Sequence, residues 1–213
     1  GPVLPCACTG GHVDEVLIIL CNNGDRTFLK VMLKTQFVRW VDRYTVILAD
    51  VFESERTDPI GAENFKRMSI NYQILKNSTA EDGTPLRILR IYLPPPIYVD
   101  ILPGNPQHLF YQTLRYTDGT IIGPDTPVKA ILAASYLNFF VTNGAVLVPQ
   151  YYRPGRNPLT ELTDAYAMHT LSVAFPNRKI VGVYVDGLNI NGGGMHCASQ
   201  QQPAKLNSHS QDT

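Results

Sequence analysis

The sequence is poor in cysteine and in charge, and each shortage excludes a class of protein. Its four cysteines, at positions 6, 8, 21 and 197, are too few and too unevenly spread for the disulfide framework of a small secreted domain. We therefore expect a reducing, cytoplasmic compartment. Charged residues make up only 17%, and 18 basic side chains balance 18 acidic ones. Because the formal net charge is zero, we expect no nucleic-acid or membrane partner, and a small molecule or a peptide instead.

Long apolar runs are also missing. The longest one, residues 16–20, stops at Cys21 and is far too short to cross a bilayer, so the sequence predicts no membrane-spanning segment. Apolar residues nevertheless make up 44% of the 213 residues, which excludes a disordered or fibrous chain and permits a large buried core.

Strand patterns alternate with two helix patterns along the chain. Residues 46–51 and 86–92 have the apolar patterns of half-buried strands. Helices are predicted to begin where Asp58 and Asn157 each precede a proline. Side chains then repeat at helical spacing, at Phe65, Met68, Tyr72 and Leu75 in the first helix and at Leu162, Tyr166, His169 and Val173 in the second.

A hairpin and a further strand complete the predicted fold. Residues 135–141 and 145–148 flank Asn143-Gly144, a pair that favours the positive φ angles of a tight hairpin. A last strand, residues 179–185, runs into an Asp186-Gly187 turn, and residues 94–128 look rich in loops. The order predicts an α/β fold with a mixed sheet rather than a sandwich or a helix bundle.

One candidate nucleophile stands near the end of the chain, in Gly192-Gly193-Gly194-Met195-His196-Cys197. Glycines let a backbone approach a ligand closely, and here they could present Cys197 to a cleft. A lone cysteine after a turn is more often a buried structural residue, so both interpretations stay open on this segment alone. His196 would face away from its neighbour in an extended chain, and we interpret it as structural.

A candidate base and carboxylate stand near the other end, in Gly10-Gly11-His12-Val13-Asp14-Glu15. In a strand, side chains two apart share a face, so His12 and Asp14 would point together. Cysteine with histidine is the minimum for thiolate catalysis, and a carboxylate can orient the histidine or hold a cationic substrate. Taken alone, His-x-Asp is common and is usually a surface feature.

The two segments together resemble the superfamily of agmatine deiminases and Porphyromonas-type peptidyl-arginine deiminases, which hydrolyse guanidinium groups. The resemblance is closest to the agmatine deiminases. It is carried by Gly-His-Val-Asp-Glu at 11–15, Ser-Tyr-Leu-Asn-Phe at 135–139, residues 143–150 and 175–182, and His-Cys-Ala-Ser-Gln-Gln-Gln-Pro at 196–203.

The resemblance implies a pentein fold, a five-bladed propeller of ββαβ units with the substrate at its axis, and no metal or organic cofactor. It also implies that the Cys197 thiolate attacks the guanidinium carbon of a small cationic substrate. His12 would protonate the departing ammonia and then activate the water that hydrolyses the amidino-thioether. Asp14 would bind the cation, and Gly193 and Gly194 would let the backbone approach it. Agmatine would yield N-carbamoylputrescine, a step of putrescine biosynthesis.

The chain departs from this superfamily at two places. The N-terminal half is absent, so residues 1–213 are predicted to form the C-terminal part of one catalytic domain, a partial propeller with its N-terminal blades missing. Exposed blade faces predict an unstable, partly open or partner-dependent fold, and a homo-oligomer is among the expected assemblies. Residues 16–36 interrupt the family pattern as an insertion, either genuine or a retained intron, and the polar tail after residue 204 is predicted to fray.

Three alternatives to an agmatine deiminase stay open. One is a protein-arginine deiminase. Another is a catalytically inactive fragment or pseudoenzyme that only binds or packs against a partner, as the missing half suggests. The third, an unrelated Cys-His hydrolase such as a protease, is disfavoured by Gln-Gln-Gln-Pro at 200–203.

Overall fold

The computed structural model describes residues 4–5, 37–115, 119–191 and 193–202, and these contain nine strands and four α-helices. The predicted insertion at 16–36 and the tail after 204 lie outside the described residues. The strands are β1 (Leu4–Pro5), β2 (Val38–Trp40), β3 (Thr45–Asp50), β4 (Arg87–Tyr92), β5 (Tyr98–Ile101), β6 (Val128–Ile131), β7 (Phe140–Val141), β8 (Ala145–Gln150) and β9 (Lys179–Tyr184). The helices are α1 (Pro59–Lys76), α2 (Pro106–Thr113), α3 (Leu159–Ala174) and α4 (Asp186–Ile190).

The predicted α/β class is confirmed, but the strands form three small sheets instead of one. Two of them have the same ββαβ topology. In the first, β2 pairs antiparallel with β3, and α1 then crosses over to β4, which pairs parallel with β3. In the second, β7, β8, α3 and β9 repeat that order and those directions. The third sheet has β6 between β1 and β5.

Helix α1 begins and packs as its sequence predicts. The Asp58 carboxylate accepts hydrogen bonds from the backbone N–H groups of Ile60 and Gly61, at 2.9 and 3.1 Å, and Pro59 is the first helical residue. These bonds satisfy two of the N–H groups that a helix start leaves free. Met68 and Leu75 of the predicted face are buried in the core.

Helix α3 also begins where predicted, but its side chains at the predicted helical spacing do not face the core. Leu162, Tyr166 and Val173 are 44%, 44% and 48% exposed. The buried residues of this helix are Thr160, Thr163, Asp164, Ala167 and Leu171. A polar network around Asp164 takes the inner face, so apolar spacing alone did not identify which side of the helix is buried.

The hairpin differs from its prediction in detail. Its first strand is only Phe140–Val141, because residues 136–138 form a turn of 3₁₀ helix. Neither Asn143 nor Gly144 has a positive φ. The backbone and hydroxyl of Thr142 close the turn instead, since both bond to Ala145 at 2.8–3.0 Å. Beyond β9, the predicted Asp186-Gly187 turn is the start of α4, and the loop-rich segment 94–128 contains β5 and α2.

One continuous apolar core joins the two ββαβ units. Ile47 and Leu48 of β3 and Val146 and Val148 of β8 are all fully buried in it. Residues 136–139 lie between the units, and Phe139 packs edge-on against Phe175 with ring centres 5.6 Å apart. No helix within the described ranges is both long and apolar enough to cross a bilayer.

Candidate active site

Cys197 is held on a short turn that follows α4. Its thiol is free and half-buried. The backbone N–H of Ala198 donates to Gly194 O at 3.0 Å, and that of Ser199 donates to His196 O at 3.1 Å. The candidate nucleophile therefore lies on a locally hydrogen-bonded segment.

The partner of the thiol is Asn138, which sequence analysis placed in a family motif without a role. Its Nδ2 lies 3.1 Å from Cys197 Sγ, and its Oδ1 accepts a bond from the His196 backbone N–H at 2.7 Å. The second bond orients the amide, because an oxygen that accepts from His196 leaves the NH₂ group to face the sulfur. Asn138 is 1% exposed, so water competes little for either bond.

Close packing explains one of the two glycines before Cys197. A Cβ on Gly194 would lie 2.5 Å from the Asn138 side chain, closer than atoms can approach. A Cβ on Gly193 would lie 3.4 Å from that of Cys197. Gly194 therefore makes room for the amide that contacts the thiol. The predicted approach of both glycines to substrate stays a prediction.

A second asparagine, Asn189, hydrogen-bonds to the glycine segment that precedes Cys197. Asn189 of α4 is fully buried, and its Nδ2 donates to Gly193 O at 2.8 Å and to Ala133 O at 2.9 Å. Asn189 and Asn138 thus tie the Cys197 segment to two places in residues 133–138.

The turn that carries Asn138 is anchored by a buried carboxylate. The hydroxyl of Tyr136 donates to Asp164 Oδ1 at 2.6 Å, and the backbone N–H groups of Tyr151 and Tyr152 donate to the same carboxylate. Burial raises the pKa of Asp164, and these hydrogen bonds oppose the rise without cancelling it. Burial and the nearby carboxylate also raise the pKa of Tyr136, which therefore stays a neutral donor.

The predicted site is only partly within the described residues. Cys197, Gly193 and Gly194 lie together, and His196, predicted to be structural, is fully buried. His12 and Asp14 lie outside the described residues, so their position beside Cys197 stays a prediction. Within the described ranges, no three His, Cys, Asp or Glu side chains are grouped closely enough to hold a metal ion.

Comparison with known proteins identifies the family. Residues 34–203 match the model of the Porphyromonas-type peptidyl-arginine deiminases, and this range is most of the chain. The chain belongs to that family. The resemblance carried by the sequence motifs is thereby confirmed. The range that matches the deiminase family contains Asn138, Gly193, Gly194 and Cys197, and it begins after His12 and Asp14.

Relatives of this member of the deiminase family come from bacteria and plants. The chain is 33% identical over 136 residues to a provisionally named agmatine deiminase of Latilactobacillus sakei, covering 63% of this chain and 32% of that protein. It is 29% identical over 151 residues to the agmatine deiminase of Medicago truncatula, covering 70% and 35%. The chain thus spans about a third of the length of these relatives.

A solved deiminase structure has the same fold. The structure of a provisionally named arginine deiminase from Porphyromonas gingivalis superposes with a TM-score of 0.55 at 25% identity. The superposition covers 79% of this chain and 38% of that one. The α/β fold described above is therefore that of part of a deiminase.

Proposed function

We propose that this chain is the thiol-bearing part of a guanidine deiminase, which converts a guanidinium group and water into a ureido group and an ammonium ion. The observation that carries the proposal is the contact between Asn138 and Cys197, inside a segment that matches a deiminase family. A thiol used only for packing needs no donor aimed at its sulfur, whereas a nucleophilic thiolate is stabilised by one.

The proposed reaction has two halves. In the first, the Cys197 sulfur bonds to the guanidinium carbon, and one C–N bond then breaks as ammonia leaves with a proton from His12. In the second, neutral His12 takes a proton from water, and the resulting hydroxide adds to the amidino-thioether carbon. The added hydroxyl then gives its proton to the released ammonia and becomes the ureido carbonyl as the C–S bond breaks, which returns the thiolate and releases the ureido product. Asp14 holds the planar cation through its carboxylate oxygens.

The proposed contribution of Asn138 is to hold the sulfur and to stabilise its negative charge. Its N–H group donates to Sγ, and its other amide atom is fixed on the backbone of His196, the residue before the nucleophile. The hydrogen bond at 3.1 Å would therefore hold the sulfur at a fixed place before substrate arrives.

The proposed substrate is agmatine, with peptidyl-arginine as the alternative. Agmatine is supported by the names of the two relatives and by Gln-Gln-Gln-Pro at 200–203. The family model is named for peptidyl-arginine instead. The proposed whole fold is a five-bladed pentein, and the two ββαβ units support this because each has the topology of one blade.

The test is a comparison of three substrates with one control variant. The 213-residue chain is incubated with agmatine, free arginine and an arginine peptide, and ammonia and ureido product are measured. Turnover of agmatine that disappears in Cys197→Ala supports the proposal, and activity retained in that variant overturns the thiol mechanism.

Because this chain is short, a non-catalytic role is the second candidate function. The chain spans about a third of the length of its relatives, and in this candidate the residues that complete the site are supplied by a separate segment. Inactivity of this chain, with turnover restored when the N-terminal half of a relative and an uninterrupted Glu15-Phe37 junction are supplied, supports a fragment. Inactivity of both preparations supports the pseudoenzyme alternative.

A further inference from the structure

A buried arginine bonds to the backbone on both sides of Asn138. Arg39 of β2 is 4% exposed, and its Nη1 donates to Leu137 O at 3.1 Å and also to Phe139 O. Its guanidinium carbon lies over the Phe139 ring, 4.0 Å from the ring centre. The head group of Arg39 thus bonds to two carbonyls and stacks on one ring.

The two carbonyls that Arg39 binds belong to the residues on either side of Asn138. A rigid, planar donor that bonds to both restricts the backbone from which the Asn138 side chain projects. That side chain in turn bonds to the Cys197 sulfur and to the backbone of His196. A continuous series of contacts therefore leads from Arg39 through Asn138 to Cys197.

Packing alone does not explain a guanidinium at this position. A buried cation loses its hydration, so an apolar side chain of similar volume would fill the same space at lower cost. The Nη1 group of Arg39 bonds to the two carbonyls on either side of Asn138 and so holds them in place. The contacts also join the first ββαβ unit, which contains Arg39, to the segment 137–139, which leads into the second.

We propose that Arg39 is a positioning residue for Cys197, and that it acts through Asn138. The proposal rests on the proposed function only in taking Cys197 to be a reactive thiol. Loss of the Arg39 Nη1 donors lets the 137–139 backbone shift, which moves the Asn138 amide away from the sulfur. Cys197 then reacts more slowly, although the chain remains folded.

The experiment measures the reactivity of the thiol without requiring turnover. The full chain is alkylated with iodoacetamide at pH 7, and modification of Cys197 is followed by mass spectrometry of tryptic peptide 180–205, which contains no other cysteine. Arg39→Met removes the charge and the donors, and Arg39→Lys keeps the charge but not the planar head group that stacks on Phe139. Arg90→Met is the control for loss of a ring-stacked arginine, because Arg90 stacks on Tyr72 at 4.7 Å and pairs with Asp50 at 2.8 Å.

We expect alkylation of Cys197 to slow about 10-fold in Arg39→Met, about 3-fold in Arg39→Lys and less than 2-fold in Arg90→Met, as for loss of a hydrogen bond to a charged group. In an Asn138→Ala background, neither Arg39 substitution should slow alkylation of Cys197 further, because the Asn138 amide through which Arg39 acts is already absent. A role in packing alone would not produce this dependence on Asn138.

Two results overturn the inference. One is an alkylation rate of Cys197 that stays within 2-fold of the parent rate in a folded Arg39→Met chain. The other is that Arg39→Met slows alkylation by the same factor in the Asn138→Ala background as in the parent. Should Arg39→Met fail to fold, the same two criteria are applied to Arg39→Lys, with unchanged rates overturning the inference. A parent Cys197 no more reactive than free cysteine would instead contradict the proposed function, which distinguishes the two failures.

Discussion

The Asn138 amide bonds to Cys197 Sγ at 3.1 Å and to the His196 backbone N–H at 2.7 Å, so one side chain holds both the candidate nucleophile and the residue before it. The bond to His196 decides which end of the amide faces the sulfur. The donor end therefore meets the atom on which negative charge is needed, and Gly194 provides the space for it. This relationship leads to the first two predictions.

Replacing Asn138 should reduce the reactivity of Cys197 and the stability of the chain together. Asn138→Ala leaves the His196 N–H buried without its acceptor, which costs about 1–3 kcal/mol of unfolding free energy. Asn138→Asp keeps that acceptor but places a carboxylate beside the sulfur. We expect both variants to slow alkylation of Cys197, and Asn138→Asp to slow it more, because like charges repel. Faster alkylation in Asn138→Asp would contradict this account.

A methyl group at position 194 should disturb the site, whereas one at position 187 should not. A Cβ at Gly194 would lie 2.5 Å from Asn138, so Gly194→Ala forces that side chain to move and should cost about 1–3 kcal/mol. A Cβ at Gly187 of α4 meets nothing within 4 Å. Gly187→Ala should be neutral or slightly stabilising, since alanine favours helices. Urea denaturation measures both, and equal effects would be inconsistent with the crowding at Gly194.

The buried carboxylate of Asp164 predicts a specific pH dependence. Its pKa is raised above the ordinary value of 3.8 mainly by burial, so the folded state binds this proton more tightly than the unfolded state does. The resulting stabilisation is full below the unfolded pKa and is lost as pH rises through the folded pKa. Measured by urea denaturation, the stability of the parent relative to Asp164→Asn should therefore fall as pH is raised from about 4. A relative stability that rises over this range would show that hydrogen bonding outweighs burial.

Two leucines of α3 test which face of that helix is buried. Leu171 is fully buried, and Leu171→Ala should cost about 2–5 kcal/mol of unfolding free energy. Leu162 is 44% exposed, and Leu162→Ala, the same substitution on the same helix, should change the free energy by less than about 1 kcal/mol. Thermal or urea unfolding compares them, and a larger loss at Leu162 would reverse the assignment of the faces.

Local signals predicted much of the fold because they act over a few residues. Asp58 before Pro59 predicts the start of α1, and the compact apolar run at 46–51 predicts β3, since capping and strand patterning depend on neighbours in sequence. Helix α4 was missed because five residues give too short a pattern. The buried face of α3 was missed because Asp164 and two threonines face inward there, which no hydrophobic pattern indicates.

The sequence by itself determined the family and the candidate nucleophile, since the glycines, Cys197 and the Gln-Gln-Gln-Pro segment are adjacent in the chain. Only the tertiary structure decided what holds that nucleophile. Asn138 is 59 residues from Cys197 and 99 from Arg39, since 138 − 39 = 99. Arg39 lies in the first ββαβ unit, whereas Asn138 and Cys197 flank the second, and only the tertiary structure brings the three together. Hydrogen bonds of a few ångströms between distant segments leave no periodic signal, because their partners are chosen by the fold and not by spacing along the chain.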